Sequence, residues 1–204
     1  MIDKNHPALR NYADHLRGKL ARADSVPLPQ HGTAQKAAAV LVPIVYREGG
    51  LHVIYTRRSD RLSSHRGQVA FPGGRFDRRD PHLLAAALRE THEEVGIEAR
   101  HIEVLGSFEG RTTRLEQIFV TPFVGLVHGP VEMRPDPKEV AEIFEVPLEA
   151  LRARRHRGHY QWKINGAATN QPAILYGGQT IWGLTYYLTL RFLELSKHAR
   201  LDFD

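Results

Sequence analysis

Between Asp80 and Gly96 the chain commits to a helix with both ends marked and two faces of opposite chemistry. Asp80 suits the N-cap, Pro81 the first helical position, and Gly96 the C′ position. Leu84, Leu88, Thr91 and Val95 recur at helical spacing, which predicts a face that packs on a sheet. At about 100° per residue, Glu90 and Glu94 lie roughly 40° apart around the axis, and Glu93 falls within about 100° of both. Three carboxylates thus share the other side of one short helix.

That placement is unfavourable by itself. The last turns of a helix already carry the negative end of its dipole, where Lys or Arg is the usual choice. Like charges at i, i+4 add a few tenths of a kcal/mol each. A divalent cation reverses the sign of the penalty, and hard oxygen donors are what Mg²⁺ and Mn²⁺ prefer. Glu90, Glu93 and Glu94 are therefore the candidate metal ligands, with a solvated acidic face as the competing reading. Arg89, four residues before Glu93, is placed to neutralise or orient it.

The remaining pattern alternates strands and helices. Residues 8–23 read as a helix with Tyr12, Leu16 and Leu20 on one face, and 25–35, with Pro27, Pro29 and Gly32, as a connector. The apolar run Ala37 to Tyr46 predicts a buried strand, and Leu51 to Thr56 its hairpin partner after Gly49-Gly50. Further strands are expected at 68–71, 102–108, 117–127, 141–146, 160–164 and 172–176. Short and long helices are expected at 148–154 and 181–195. No repeat and no interdomain linker is evident. The expectation is one α/β domain over 1–204, a mixed sheet flanked by helices, with a core at 37–195 and extra N- and C-terminal helices.

Composition narrows the partners. The chain has 204 residues, 25% charged and 42% hydrophobic, the balance of a soluble globular protein. No apolar run reaches the roughly 18–20 residues of a membrane span, and the N-terminus lacks the apolar stretch of a secretory signal. Cysteine is absent, which excludes disulfides and thiolate metal sites. A cytoplasmic location is the expectation. The net charge of +5 suits an anionic ligand but is small for a dedicated nucleic-acid binder.

In the second half of the helix, Arg89-Glu90-Thr91-His92-Glu93-Glu94-Val95-Gly96-Ile97 resembles the signature box of the Nudix hydrolases, Gly-x5-Glu-x7-Arg-Glu-U-x-Glu-Glu-x-Gly-U, with U a bulky apolar residue. Two departures stand out. Thr91 is less apolar than the usual residue, and eight residues rather than seven separate Asp80 from Arg89. Asp80 replaces the family Glu, and its role is expected to be a cap. Upstream, Ile54-Tyr55-Thr56-Arg57-Arg58-Ser59 and Gly67-Gln68-Val69-Ala70-Phe71-Pro72-Gly73-Gly74 resemble the extra motif of Nudix coenzyme A pyrophosphatases. Ser63 stands where that motif has a second Arg, with Arg61 and Arg66 nearby. A late Ile181-Trp182-Gly183-Leu184-Thr185 is similar to a segment of the same group.

The resemblance implies an α/β/α sandwich and a pyrophosphohydrolase using Mg²⁺ or Mn²⁺. Glu90 and Glu94 are implied as the main ligands, with Glu93 assisting. Arg89 and Glu93 are the implied catalytic residues, and Gly74 offers a carbonyl to the metal. Arg58, Gly73 and Gly74 are the candidate substrate contacts; guanidinium binds phosphate bidentately, and paired glycines allow close backbone approach. Glu139 and Glu142 are outside acids that could add a ligand or base. His65 is read as a surface residue. The implied substrate is coenzyme A, split to 4′-phosphopantetheine and adenosine 3′,5′-bisphosphate. ADP-ribose, NADH or a dinucleoside polyphosphate are alternatives, as is a non-catalytic nucleic-acid binder using the basic stretch 152–163. A homodimer is compatible with all of them.

Overall fold

The computed structural model describes residues 6–27, 36–48, 50–62, 64–113, 116–164, 167–197 and 199. The first helix, α1 (Pro7–Arg17), leads to the strands β1 (Ala37–Arg47), β2 (Gly50–Arg58), β3 (Val69–Ala70) and β4 (Gly73–Arg75). Helix α2 (Leu83–Val95) follows, then β5 (Ile102–Ser107), β6 (Arg111–Thr112), β7 (Phe119–Val127) and β8 (Val140–Pro147). The chain continues through α3 (Leu148–Arg152), β9 (Arg157–Ile164), β10 (Ala167–Tyr176), β11 (Gln179–Trp182) and α4 (Gly183–Leu195).

Strand β1 lies at the centre because its run is apolar on both faces, and such a strand is stable only where both faces are covered. It pairs in parallel with β7 and antiparallel with β2, so the sheet is mixed, in the order β3-β2-β1-β7-β5. Alternate side chains divide two cores. Val42, Ile44, Val53 and Tyr55 pack with Leu9, Tyr12 and Leu16 of α1 and with Leu188 and Phe192 of α4. Leu41, Val45 and Ile54 pack with Leu83, Ala86, Ala87 and Val95 of α2. Helices on both faces make the α/β/α sandwich that the resemblance implied.

One irregularity of the sheet positions the site. Residues Ile44 to Arg47 pair with β2, whereas Ala38 to Val40 pair with β4. The chain from 69 to 75 thus fills the space where β1 and β2 part, below the end of β2 at Arg58. At Gly73 the backbone takes φ +148°, and a Cβ there would stand 2.4 Å from the Ala39 carbonyl oxygen. Only glycine allows that crossing.

Several element bounds differ from expectation. Helix α1 stops at Arg17 rather than 23, because Ala21 turns away to pair with Ser107. Helix α4 starts at Gly183 (φ +63°), since Ile181 and Trp182 extend the edge of a second, three-stranded antiparallel sheet, β11-β10-β9. Among the described residues no helix is long and apolar enough to cross a membrane. The expectations at Pro29, Gly32, Gly49 and Ser63 lie outside the described residues.

Candidate active site

Helix α2 begins two residues later than its sequence suggests. His82 is the cap, its Nδ1 accepting the Ala85 N–H at 3.0 Å. Asp80 is not a cap. It is 7% exposed and accepts two parallel hydrogen bonds from Arg89, Nε and Nη2 each at 2.9 Å, and a third from the Asp77 N–H. A carboxylate makes a stronger pair with a guanidinium than with one amide, so the ion pair decides where Asp80 goes. Those hydrogen bonds hold its carboxyl below the usual range. At the other end Gly96 is the expected left-handed cap, φ +77°, its N–H donating to the His92 carbonyl. Thr91, the weak match of the box, is fully buried, its hydroxyl donating back to the Ala87 carbonyl at 2.6 Å. Leu84 and Leu88 are half-buried, while the small Ala86 and Ala87 are fully buried in the core against the sheet.

The three helix acids occupy different environments. Glu93 is the exposed one, reached by Arg89 Nη1 at 3.2 Å. The same nitrogen donates to Glu90 Oε1 at 2.8 Å. With every one of its edges engaged, Arg89 occupies a positioning place: it holds Asp80, Glu90 and Glu93 in one frame. Glu90 lies against Gly74, where an added Cβ would come within 2.4 Å of its carboxyl carbon. Burial raises the Glu90 carboxyl, Arg89 opposes the shift, and Glu93 and Glu139 add to it.

Glu94 is the most buried of the three, 4% exposed. It accepts the Gly73 N–H at 3.1 Å, and Arg58 Nη1 stands 3.9 Å from its other oxygen. This compensation is thin for a buried charge. Burial pushes its carboxyl up to about 7 against the pull of Gly73 and Arg58, with Glu90 and Glu139 adding repulsion. Arg58 is also short of partners: its Nε is buried and finds no acceptor among the described residues.

The upstream motif builds the rim. Thr56 ties β2 to Ala70, Phe71 stacks on Tyr55 at 4.8 Å, and the Pro72 carbonyl accepts the Leu41 N–H. The buried Ser59 donates its N–H to the Glu139 carbonyl. Arg134 and Asp136 donate their N–H groups to the carbonyls of Val95 and Glu94, satisfying the end of α2. Segment 134–139 is thereby clamped over the acids, which explains why Glu139 acts on both Glu90 and Glu94. Glu142 is engaged otherwise, by Arg57 and Gln179. His65 bonds Gln68 and faces Glu116 on the surface, as expected.

The buried, thinly compensated Glu94 and the partly buried Glu90, which Arg89 pairs, have the donor chemistry for a hard cation. Glu90 and Glu94 fit that requirement, although among the described residues no three acid or histidine side chains are gathered into a coordination shell. The Asp80–Arg89 pair is the feature that sequence reasoning missed. Its signal was present in the acid's place in the box, one residue out of step.

A family model, the NUDIX domain, matches residues 35–164. The "uncharacterized Nudix hydrolase NudL" of Yersinia enterocolitica is 43% identical over 160 residues, covering 77% of this chain and 80% of the relative. That of Yersinia pestis is 38% identical over 182 residues, covering 87% and 89%. The crystal structure of a Nudix hydrolase from M. smegmatis, RenU, superposes with a TM-score of 0.54 at 19% identity, over 79% of this chain and 86% of that one, a likeness of fold alone. The chain belongs to the Nudix hydrolases. These enzymes act on nucleoside diphosphate compounds and generally use divalent metal ions.

Proposed function

We propose that this enzyme hydrolyses the diphosphate of coenzyme A or its acyl derivatives, yielding 4′-phosphopantetheine and adenosine 3′,5′-bisphosphate. The observation that carries the chemistry is the pairing of the buried Glu94 with an Arg58 whose Nε has no acceptor among the described residues. The Arg58 side chain as a whole is 27% exposed, so the open part of the guanidinium can take a phosphate oxygen. The choice of coenzyme A is supported by the resemblance over 54–74, whose residues build the rim that holds Arg58, Glu139 and the glycine crossing.

Glu90 and Glu94 would hold Mg²⁺ or Mn²⁺, with Glu93 assisting. Such an ion supplies an acidified water and charge neutralisation at the diphosphate. Arg89, fixed by Asp80, keeps Glu90 and Glu93 in place. Glu93 is the exposed carboxylate with access to a proton. Arg58 binds the phosphate and offsets charge building on the leaving group. The missing side chains of Gly73 and Gly74 make room for the Ala39 carbonyl and for the Glu90 carboxylate, which sets that acid beside Glu94.

The test is turnover with Mg²⁺ or Mn²⁺ of coenzyme A, ADP-ribose and NADH, with chromatography of the products. Coenzyme A should be turned over most efficiently. Hydrolysis of ADP-ribose without coenzyme A would remove the substrate assignment and leave the metal-bearing helix untouched.

A further inference from the structure

Trp182, in the segment that opens α4, has no part in the chemistry above. Its place in the fold is specific. On one face of the second sheet the Tyr160 and Trp182 rings stack at 4.5 Å and 29°, and Trp162 leans on Trp182 at 5.5 Å and 51°. Tyr160 is 37% exposed, and both tryptophans are partly open to solvent. The opposite face of the sheet faces inward, with Ile174 and Ile181 in the main core. The aromatic face is therefore surplus to the core.

Sheet and site are continuous. Strand β11 lies against β3, which pairs with Thr56 and Arg57 just before Arg58. Gln179 of β11 donates to Glu142, the acid that Arg57 also holds. Three residues beyond Trp182, the Thr185 hydroxyl donates to the Val69 carbonyl at 3.0 Å. The aromatic face is thus braced, through β3, to the strand whose end presents Arg58.

We propose that Tyr160, Trp162 and Trp182 form a stacking platform for the purine base of the substrate, while Arg58 and the helix acids take its diphosphate. The inference rests on the reading that the substrate is a nucleoside diphosphate compound. It does not require that compound to be coenzyme A. Aromatic faces bind bases through their π surfaces. They do so without the charge that the diphosphate end demands. Thr169 and Gln171 share the face through their pairing with Trp162 and Tyr160, and they offer polar edges beside the rings. A second copy of the chain is the other conceivable occupant.

The chain contains two tryptophans, and both are in this cluster, so its intrinsic fluorescence reports on the platform directly. AMP and adenosine 3′,5′-bisphosphate should quench the emission saturably, whereas inorganic pyrophosphate, which meets only the diphosphate end, should leave it unchanged. Tyr160→Ala, at an exposed position where folding is at little risk, should weaken the nucleotide-induced quench and raise KM about 10-fold with kcat nearly unchanged. Trp182→Phe, which keeps a ring, should retain most of the binding. Equal quenching by pyrophosphate, or none by the nucleotides, would overturn the platform. A spectrum that shifts on dilution together with the sedimentation coefficient would overturn it in favour of a contact between copies. Quenching by AMP in an enzyme inert towards coenzyme A would uphold the platform while removing the coenzyme A assignment.

Discussion

Glu94 is the residue on which the proposed chemistry turns, since its charge is buried with one amide and a distant guanidinium as its support. Glu94→Gln keeps its size and removes the charge. Turnover should fall at least about 100-fold, the scale of losing a strong electrostatic contributor, while circular dichroism stays native. Near-normal Mg²⁺-dependent turnover would remove Glu94 from the metal site. Asp80 is expected to matter through a neighbour. Asp80→Asn keeps the shape but gives up one of two oxygens that Arg89 grips, so stability should drop by about 1.5–3 kcal/mol, as for a lost hydrogen bond to a charged group. Mn²⁺ affinity should weaken with it, because Arg89 is then free to shift on Glu90 and Glu93. Unfolding curves and calorimetric titration check the two effects. A silent substitution would mean that Arg89 needs no anchor.

At the scale of the element, α2 is held at both ends by different means. Its start depends on the His82 ring accepting the Ala85 N–H, and its end on Gly96 and the donors of Arg134 and Asp136. His82→Ala should cost about 1 kcal/mol, the usual loss for a missing cap. His82→Ser, which restores an acceptor, should recover most of it. A denaturant series on the two variants decides the matter; equal stabilities would show the helix to be fixed by packing alone. The effect on turnover should be small, since His82 is two turns away from the carboxylates along the helix.

For the molecule as a whole, the buried acids should make stability depend on pH when metal is chelated. The Glu94 carboxyl is raised from its ordinary 4.5 to about 7 in the fold. Between those values the folded chain binds the proton that the unfolded chain releases. Stability from this group is full below about pH 4.5 and is lost as pH rises through 7, by on the order of 3 kcal/mol at about 1.4 per unit. In EDTA the melting temperature of the native chain should therefore fall across this window relative to Glu94→Gln, which cannot titrate there. Mg²⁺ should restore it at neutral pH, since a ligand that binds only the folded state stabilises it. A constant difference between the two proteins from pH 5 to 7.5 would show that Glu94 is adequately solvated.

What the linear chain determined is what repeats locally. The 3.6-residue spacing placed α2 and its acids, glycine marked its end, and unbroken apolar runs marked strands buried on both faces, because these signals act within a turn or two of backbone. The shared side of the helix acids followed from the same spacing, whereas Arg58 was picked out by the resemblance of 54–74 to a family motif. Only the tertiary structure decided that Glu94 is inside while Glu93 is outside, because burial depends on what covers a face, here Gly73 and the end of β2. It also took Asp80 from the helix cap and gave it to Arg89, since a two-pronged charged contact outbids a single amide bond. It folded segment 134–139 over the acids by spare carbonyls at the end of α2, a long-range demand that spacing in the sequence does not record.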